Sequence, residues 1–545
     1  MFTVCLPFQS NLLSKMKTLY ILILFVVSSL CAEAKIRKSL RYNISITVGK
    51  TKLNFATNPF LDQDGLPKFS AIKASDLSPA IHHLVEKLEQ DFSLFELKIS
   101  KEDYIPTYDD VLPELERIVF PLKYAWGVAD HLVKVKTTNE LLRAFEENQP
   151  IVVTIMNKMS QSRPLFNAIS TIDEHWKKDG TNNTNDFYMS QKVRAIANKV
   201  ISMKLGGVGL DGEAKDRFNK IELRLRELSL SFGNNILHST NAFHLDIENA
   251  EDVANVPSSA KALWANNYAI AVCTLENKIQ VVADPENGPW RITLDGPSYN
   301  EAMAQMPNRN IREKVYRASH TRASEFAEND GGSDKNNVAY IYDMLGVKKD
   351  RGRMLGFNST AEMSIVTKMA SSVESVIDFL EMILEKALPA ALREFEEITL
   401  FARSNGGDKY SQENLEGLMP WDISFWSQRL KESKFNLKEE EPFPSVLDGM
   451  FGIVERIFNI EVKEADGEVD VWDKDVSFFN VFDKDSQKHI GSFYLDPYSR
   501  PAEKRGGAWM KVCIGKSEAV KRDIPVAYLN CNGSPPIGCL FDTSA

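Results

Sequence analysis

Apolar residues recur along most of this chain with the period of a helix, and that period constrains the fold more than any other feature. In FNKIELRLRELSLSFGNNIL, residues 218–237, they fall at Ile221, Leu225, Leu228, Phe232 and Ile236, one continuous stripe. Leu223 and Leu230 widen it, which predicts a helix buried on more than one side. A second long helix is predicted over about 372–402, with Val373, Val376, Leu380, Ile383 and Leu384 on one face. Pro389 is expected to kink or break it, because proline lacks a donor and clashes with the preceding turn. TNELLRAFEEN (138–148) opens on Thr138 as a cap, with Glu140 in the first turn. The stripes read as core.

One region departs from the helical period. VSFFNVFDKDSQKHIGSFYLDPY (476–498) is aromatic and branched around a polar centre. It predicts a hairpin with a strand over 476–482, a turn from Asp483 to Lys488 and a strand over 489–495. IPVAYLNCN (524–532) is a third strand candidate. The expected class is mainly α, with a small antiparallel sheet near the C-terminus.

Charge narrows the function. Of the 545 residues, 26% are charged and the net charge is −10, without the basic face that a nucleic-acid binder needs. There is no C-x-x-C pair among the six cysteines, so a zinc ribbon is excluded. Cys531 and Cys539 read either as free thiols or as a small loop disulfide.

The first residues read as a leader. Lys15 and Lys17 precede the apolar run Leu19–Val27, and Ala32-Glu33-Ala34 supplies an A-x-A cleavage site, so residues 1–34 are expected to be a signal peptide. The run is too short for a stable membrane span. From Lys35 to Leu61 there are six basic residues, many hydroxyls and no acid before Asp62. A basic, acid-free stretch behind a signal predicts either two-step import into a plastid or a basic arm, residues 35–57, on a secreted or endomembrane protein.

FYLDPYSRPAEKRGGAWM (493–510) resembles a block of the thimet oligopeptidase / oligopeptidase A family of zinc metallopeptidases. Six further blocks agree in order: 58–81, WGVADHL (126–132), 308–325, 355–370, LMPWDISFWSQRL (418–430) and 446–460. The resemblance implies a two-lobed helical fold around a deep channel, with an N-terminal helical domain over 58–300 and a catalytic domain beginning at 301. It implies a monomer that cuts short peptides, including cleaved targeting peptides, with zinc as cofactor.

The chemistry requires H-E-x-x-H, two histidines one helical turn apart with a general-base glutamate beside the first. The eight histidines stand at 82, 83, 131, 175, 238, 244, 320 and 489, and none forms an i, i+4 pair. No catalytic residue and no zinc ligand is therefore assigned. Pro525-Val526-Ala527-Tyr528-Leu529, Cys531, Pro535-Pro536 and Gly538 match the run that precedes the zinc helix in the family, and the match stops there. The catalytic lobe of the 301–545 segment is expected to be incomplete, as from a truncated gene model. The two readings are an oligopeptidase lacking its zinc motif, inactive as written, and a non-catalytic peptide-binding pseudoenzyme.

By resemblance, the region of Phe493, Tyr494, Gly507, Ala508 and Trp509 borders the substrate channel. A structural role competes for Phe493, Tyr494, Asp496, Tyr498, Arg500, Lys504, Arg505 and Trp509, as aromatic core contacts and ion pairs.

Overall fold

The computed structural model describes residues 58–276, 282–327, 335–406, 417–435, 443–500 and 503–533. The leader, the basic stretch up to residue 57 and Cys539 lie outside them. The described residues form fourteen α-helices and seven strands. None of these helices is long and apolar enough to cross a membrane.

The first six helices are α1 (Ala74–Ile99), α2 (Tyr108–Val135), α3 (Asn139–Ser160), α4 (Arg163–Lys178), α5 (Phe187–Leu205) and α6 (Gly212–Ala242). Their starts are chemically marked. Thr107, Thr138 and Ser162 each accept a hydrogen bond from a backbone N–H of the first turn, as the cap reading of Thr138 requires. In α1, Leu77, Ile81, Leu84, Leu88, Phe92, Phe95 and Ile99 are buried, a stripe along the side that faces α2 and α3. On α6, Ile221 and Leu228 are buried while Leu225, Phe232 and Ile236 are half-buried.

A second core forms around a two-stranded antiparallel sheet, β1 (His244–Ile247) with β2 (Trp290–Thr293). Asp246 and Arg291 face each other across it and form a bidentate ion pair, 2.6 Å at each oxygen. Helices α7 (Ser258–Glu276), α8 (Gly296–Gln305) and α9 (Arg309–His320) complete this unit, and Trp421 plugs it. Beyond it come α10 (Val338–Met354), α11 (Thr360–Ile365), α12 (Val373–Asn405), α13 (Pro420–Phe435) and α14 (Phe443–Phe458).

Two expectations fail on α12. The helix runs unbroken through Pro389. An exposed helix tolerates this, because water can take the carbonyl of Glu385 that loses its partner. Nor is its stripe core: Ala402 is the one buried residue described in the helix, and Ile383 and Leu384 are 43% and 46% exposed.

The large sheet runs β3–β4–β5–β7–β6, with β3 (Ile460–Glu464), β4 (Ser477–Asp483), β5 (His489–Tyr498), β6 (Trp509–Ile514) and β7 (Val526–Gly533). The hairpin β4–β5 and the third strand β7 lie where the sequence places them. The sheet is mixed rather than antiparallel, because β7 pairs parallel with β5. After β5 the chain first lays down β6 at the edge, then returns to insert β7 between the two. The sheet's residues Trp472, Phe478, Tyr494 and Tyr528 belong to the same core as α1–α5.

Candidate functional site

The sheet's two faces follow from strand alternation. Phe478, Tyr494, Tyr528 and Lys511 lie side by side across β4, β5, β7 and β6. The next row is Phe479, Phe493, Ala527 and Val512. The first row faces α2 and the N-terminal helices, and the second faces away.

On the inner face, Tyr494 is wholly buried, in edge-on contact with Phe69 at 5.9 Å and tilted against Trp472 at 5.3 Å. His131 of α2 is also wholly buried. It stacks on Tyr528 at 3.7 Å with 7° between the rings and meets Trp472 edge-on at 4.2 Å. Neither ring nitrogen has a hydrogen-bond partner, and burial holds the imidazole well below its ordinary pKa. Burial likewise pushes the neighbouring Cys513 thiol up to about 12.

Asp496 anchors the polar half of this face. It is fully buried and accepts from the Trp472 indole at 2.9 Å, from both terminal nitrogens of Arg500 at 2.8 Å and from Lys504 at 2.7 Å. Burial holds the Lys504 ammonium below its usual range in spite of that carboxylate. The Arg500 guanidinium continues to the carbonyl of Val135 at 3.2 Å, and Lys136 bridges Asp473 and Glu503 at 3.0 and 2.9 Å. The backbone N–H of Arg505 donates to Lys134 O at 2.8 Å. These bonds lock the end of α2 onto the sheet, so Tyr494, Asp496, Arg500 and Lys504 hold structure together. Trp472, Phe69, His131 and Lys511 complete the lock. In the sequence, the 58–81 block holds Phe69 and WGVADHL holds His131, while nothing pointed to Trp472 or Lys511.

The outer face is different. Phe493 stacks on Phe479 at 5.1 Å, and Phe451 of α14 meets both. Gly507, with a φ of +99°, turns the chain into β6 beside an exposed Ala508. Trp509 opens β6 half-buried against the inner core, while Met510 and Val512 are 68% and 61% exposed. Among the described residues β6 pairs only with β7, which leaves its other edge without a strand partner there. Of the five residues named as a channel border, Phe493, Gly507 and Ala508 reach the outer face or that edge. Tyr494 does not, and Trp509 leans inward.

No group of three or more His, Cys, Asp or Glu side chains among the described residues is placed to hold a metal ion. His489 binds Gly491 O at 3.0 Å and Ser492 Oγ at 2.9 Å, and His320 stacks on Tyr316. A hollow of about 410 Å³ between Glu96, Lys158, Gln161, Arg163 and Lys215 lies away from the sheet. There Lys158 and Arg163 are already paired with Glu89 and Asp211.

Residues 81–215 match the model of the Neurolysin/Thimet oligopeptidase N-terminal domain, and residues 302–541 that of Peptidase family M3. The chain belongs to this family. It is 36% identical to the organellar oligopeptidase A, chloroplastic/mitochondrial, of Arabidopsis thaliana over 495 residues, 89% of this chain and 58% of that one. It is 34% identical to the probable cytosolic oligopeptidase A of the same plant and 35% to the oligopeptidase A of Haemophilus influenzae, each with 66% of the relative covered. The chain thus spans between 58% and 66% of the length of these relatives.

Proposed function

We propose that this M3 chain serves zinc-dependent hydrolysis of short peptides, and that these 545 residues supply the peptide-holding part of that work and not the cutting. The observation that carries the reading is the edge of β6 that has no strand partner among the described residues, lying in the M3-matched segment beside the open outer face. An extended peptide adds to such an edge through main-chain hydrogen bonds, with side chains alternating into the pockets on either side. Met510 and Val512 then offer apolar contact on the outer side, and Phe493 and Ala508 border the same surface.

The donor set does not fit zinc. The eight histidines include no i, i+4 pair, and His131 is sealed in the core. No hydrolytic step is therefore derived from these residues. The domain division at about residue 300 is part of the proposal, supported by the separate matches over 81–215 and 302–541. So is an organellar destination by way of residues 1–57, supported by the organellar relative and by the basic, acid-free stretch; a fluorescent fusion of residues 1–57 that stays in the cytosol overturns it.

Hydrogen exchange with a ten-residue peptide, read beside metal analysis, tests the function. The peptide is expected to protect the amides of Met510–Val512, with no bound zinc and no cleavage. Protection elsewhere alone, or one tightly held zinc per chain, overturns the reading.

A further inference from the structure

The hollow at the junction of α1, α3, α4 and α6 shares no residue with the large sheet. Its volume of about 410 Å³ is at the small end of ligand sites, which run from about 300 to 1,000 Å³. Glu96 of α1, Lys158 of α3, Arg163 of α4 and Lys215 of α6 line it, with Gln161 and Ser162 of the link between α3 and α4. These last two are the buried part of the lining, 4% and 5% exposed, and hydrogen bonds fix them. Gln161 Nε2 donates to Gly206 O at 3.1 Å and to Asn219 Oδ1 at 3.2 Å, while its Oε1 has no donor among the described residues. The Ser162 hydroxyl accepts from the Leu165 N–H at 3.1 Å and donates to one oxygen of Glu96.

The charges of the lining do not cancel. Lys158 lies 2.8 Å from Glu89 and Arg163 lies 2.6 Å from Asp211, so these two cations are committed. Glu96 and Lys215 remain. Both are half-buried and both line the hollow, yet no ion pair joins them to each other or to any other described residue. A partly buried charge without a counter-charge is costly, and a charge-assisted hydrogen bond from a ligand offsets that cost. A simple anion suits Lys215 and is repelled by Glu96, and a simple cation does the reverse. A zwitterion suits both. Length then selects among peptides with free ends: two extended residues span about 7 Å, whereas the ten that a strand edge takes up span about 35 Å, far more than this hollow holds.

We propose that this hollow binds a dipeptide with both ends free, its ammonium on Glu96 and its carboxylate on Lys215, at a site separate from the β6 edge. The binding uses neither that edge nor zinc, so it stands or falls apart from the peptidase reading. The bound ligand ties α1, the α3–α4 link and the start of α6 together.

Titration calorimetry of the full chain with alanyl-leucine tests this, and one-to-one binding is expected. Acetylating the ligand's amine or amidating its carboxyl is expected to weaken binding about tenfold or more, the worth of one hydrogen bond to a charged group. Glu96→Gln keeps an acceptor for Ser162; it is expected to lose the same factor and to become indifferent to acetylation. Lys215→Met keeps the apolar stem; it is expected to lose as much and to become indifferent to amidation. A variant that merely loosens the fold weakens every ligand alike, and that pattern in both variants overturns the assignment. So does absence of binding at millimolar dipeptide, equal affinity for acetyl-alanyl-leucine amide, or acetate binding as tightly as the dipeptide, which marks a simple anion site. Hydrogen exchange places the ligand: slowing is expected over residues 158–165, and protection confined to Met510–Val512 moves the ligand to the β6 edge and overturns the proposal.

Discussion

The two faces of the large sheet are built from the same strands, yet they end in opposite states. The inner face buries Tyr494, Tyr528 and Phe478 against Phe69, His131 and Trp472, and closes its polar rim with Asp496, Arg500 and Lys504. The outer face has Phe451 of α14 on Phe479 and Phe493, but leaves Met510 and Val512 largely open. Strand chemistry is alike on both sides, so the difference lies in what each side meets. α2 and the residues around Phe69 come from far upstream and complete the inner core. Nothing comparable among the described residues reaches α12 or the β6 edge. An apolar residue is therefore a stability element on one side and a contact in waiting on the other.

The sharpest way to break this contrast is Asp496→Ala. It strands Lys504, whose side chain is fully buried, and leaves Arg500 with weaker partners. Removing one partner of a buried pair costs about 3–5 kcal/mol. The urea midpoint is expected to drop sharply, with early loss of Trp472 fluorescence. A drop no larger than that of a surface variant would show that the lock is ornamental. Next comes Phe69→Ala, which empties the centre of the aromatic cluster at about 3 kcal/mol. Proteolysis is expected to release the sheet from α2 before the N-terminal helices are cut.

A third prediction turns on pH. His131 stays neutral in the folded protein and protonates near 6.5 once unfolded. The unfolded chain thus binds the extra proton, and stability is full above about pH 6.5 and falls below it, by up to about 1.4 kcal/mol per pH unit. Lys511, Lys134 and Lys504 oppose a charge on His131, and Asp130 favours one. Asp473 and Asp130 are held below the usual carboxylate range, the first by Lys136 and Arg500, the second by Lys511 and Lys134, both against burial. Their contribution is present above about pH 4 and is lost only as the pH falls further. His131→Phe keeps the stacking and removes the proton. Its stability is expected to be flat between about pH 6.5 and 5, where the parent declines. Parallel declines in parent and variant would refute this.

Sequence reasoning reached as far as local patterns reach. The alternation around Phe478 and Tyr494 placed the hairpin, and Thr138 placed a helix start, because both are decided within a few residues. The topology was not local. The parallel β5–β7 pairing depends on β6 being set aside at the edge, and WMKVCI alternates too modestly around Lys511 to announce a strand. Periodicity also cannot say whether a stripe finds its partner. Leu84 on α1 and Leu384 on α12 read identically in the sequence, and one is 5% exposed and the other 46%. At the candidate site the sequence named Phe493, Tyr494, Gly507, Ala508 and Trp509 by resemblance alone, and the inward aim of Tyr494 required the sheet's register.

The smallest effect is the most telling about the outer face. Leu392→Ser on α12 exchanges an apolar residue for a polar one, as a serine at Leu84 of α1 would. At Leu84 the change removes a buried side chain and leaves a cavity, at about 2–5 kcal/mol. Leu392 is already 55% exposed, and the cost is expected within about 0.5 kcal/mol. Solubility of the free chain is expected to rise, because an open apolar stripe is shortened. Paired urea curves for the two variants decide the matter. If Leu392→Ser destabilises the free chain as strongly as the α1 variant, then α12 is already packed in solution, and the difference between the two faces disappears.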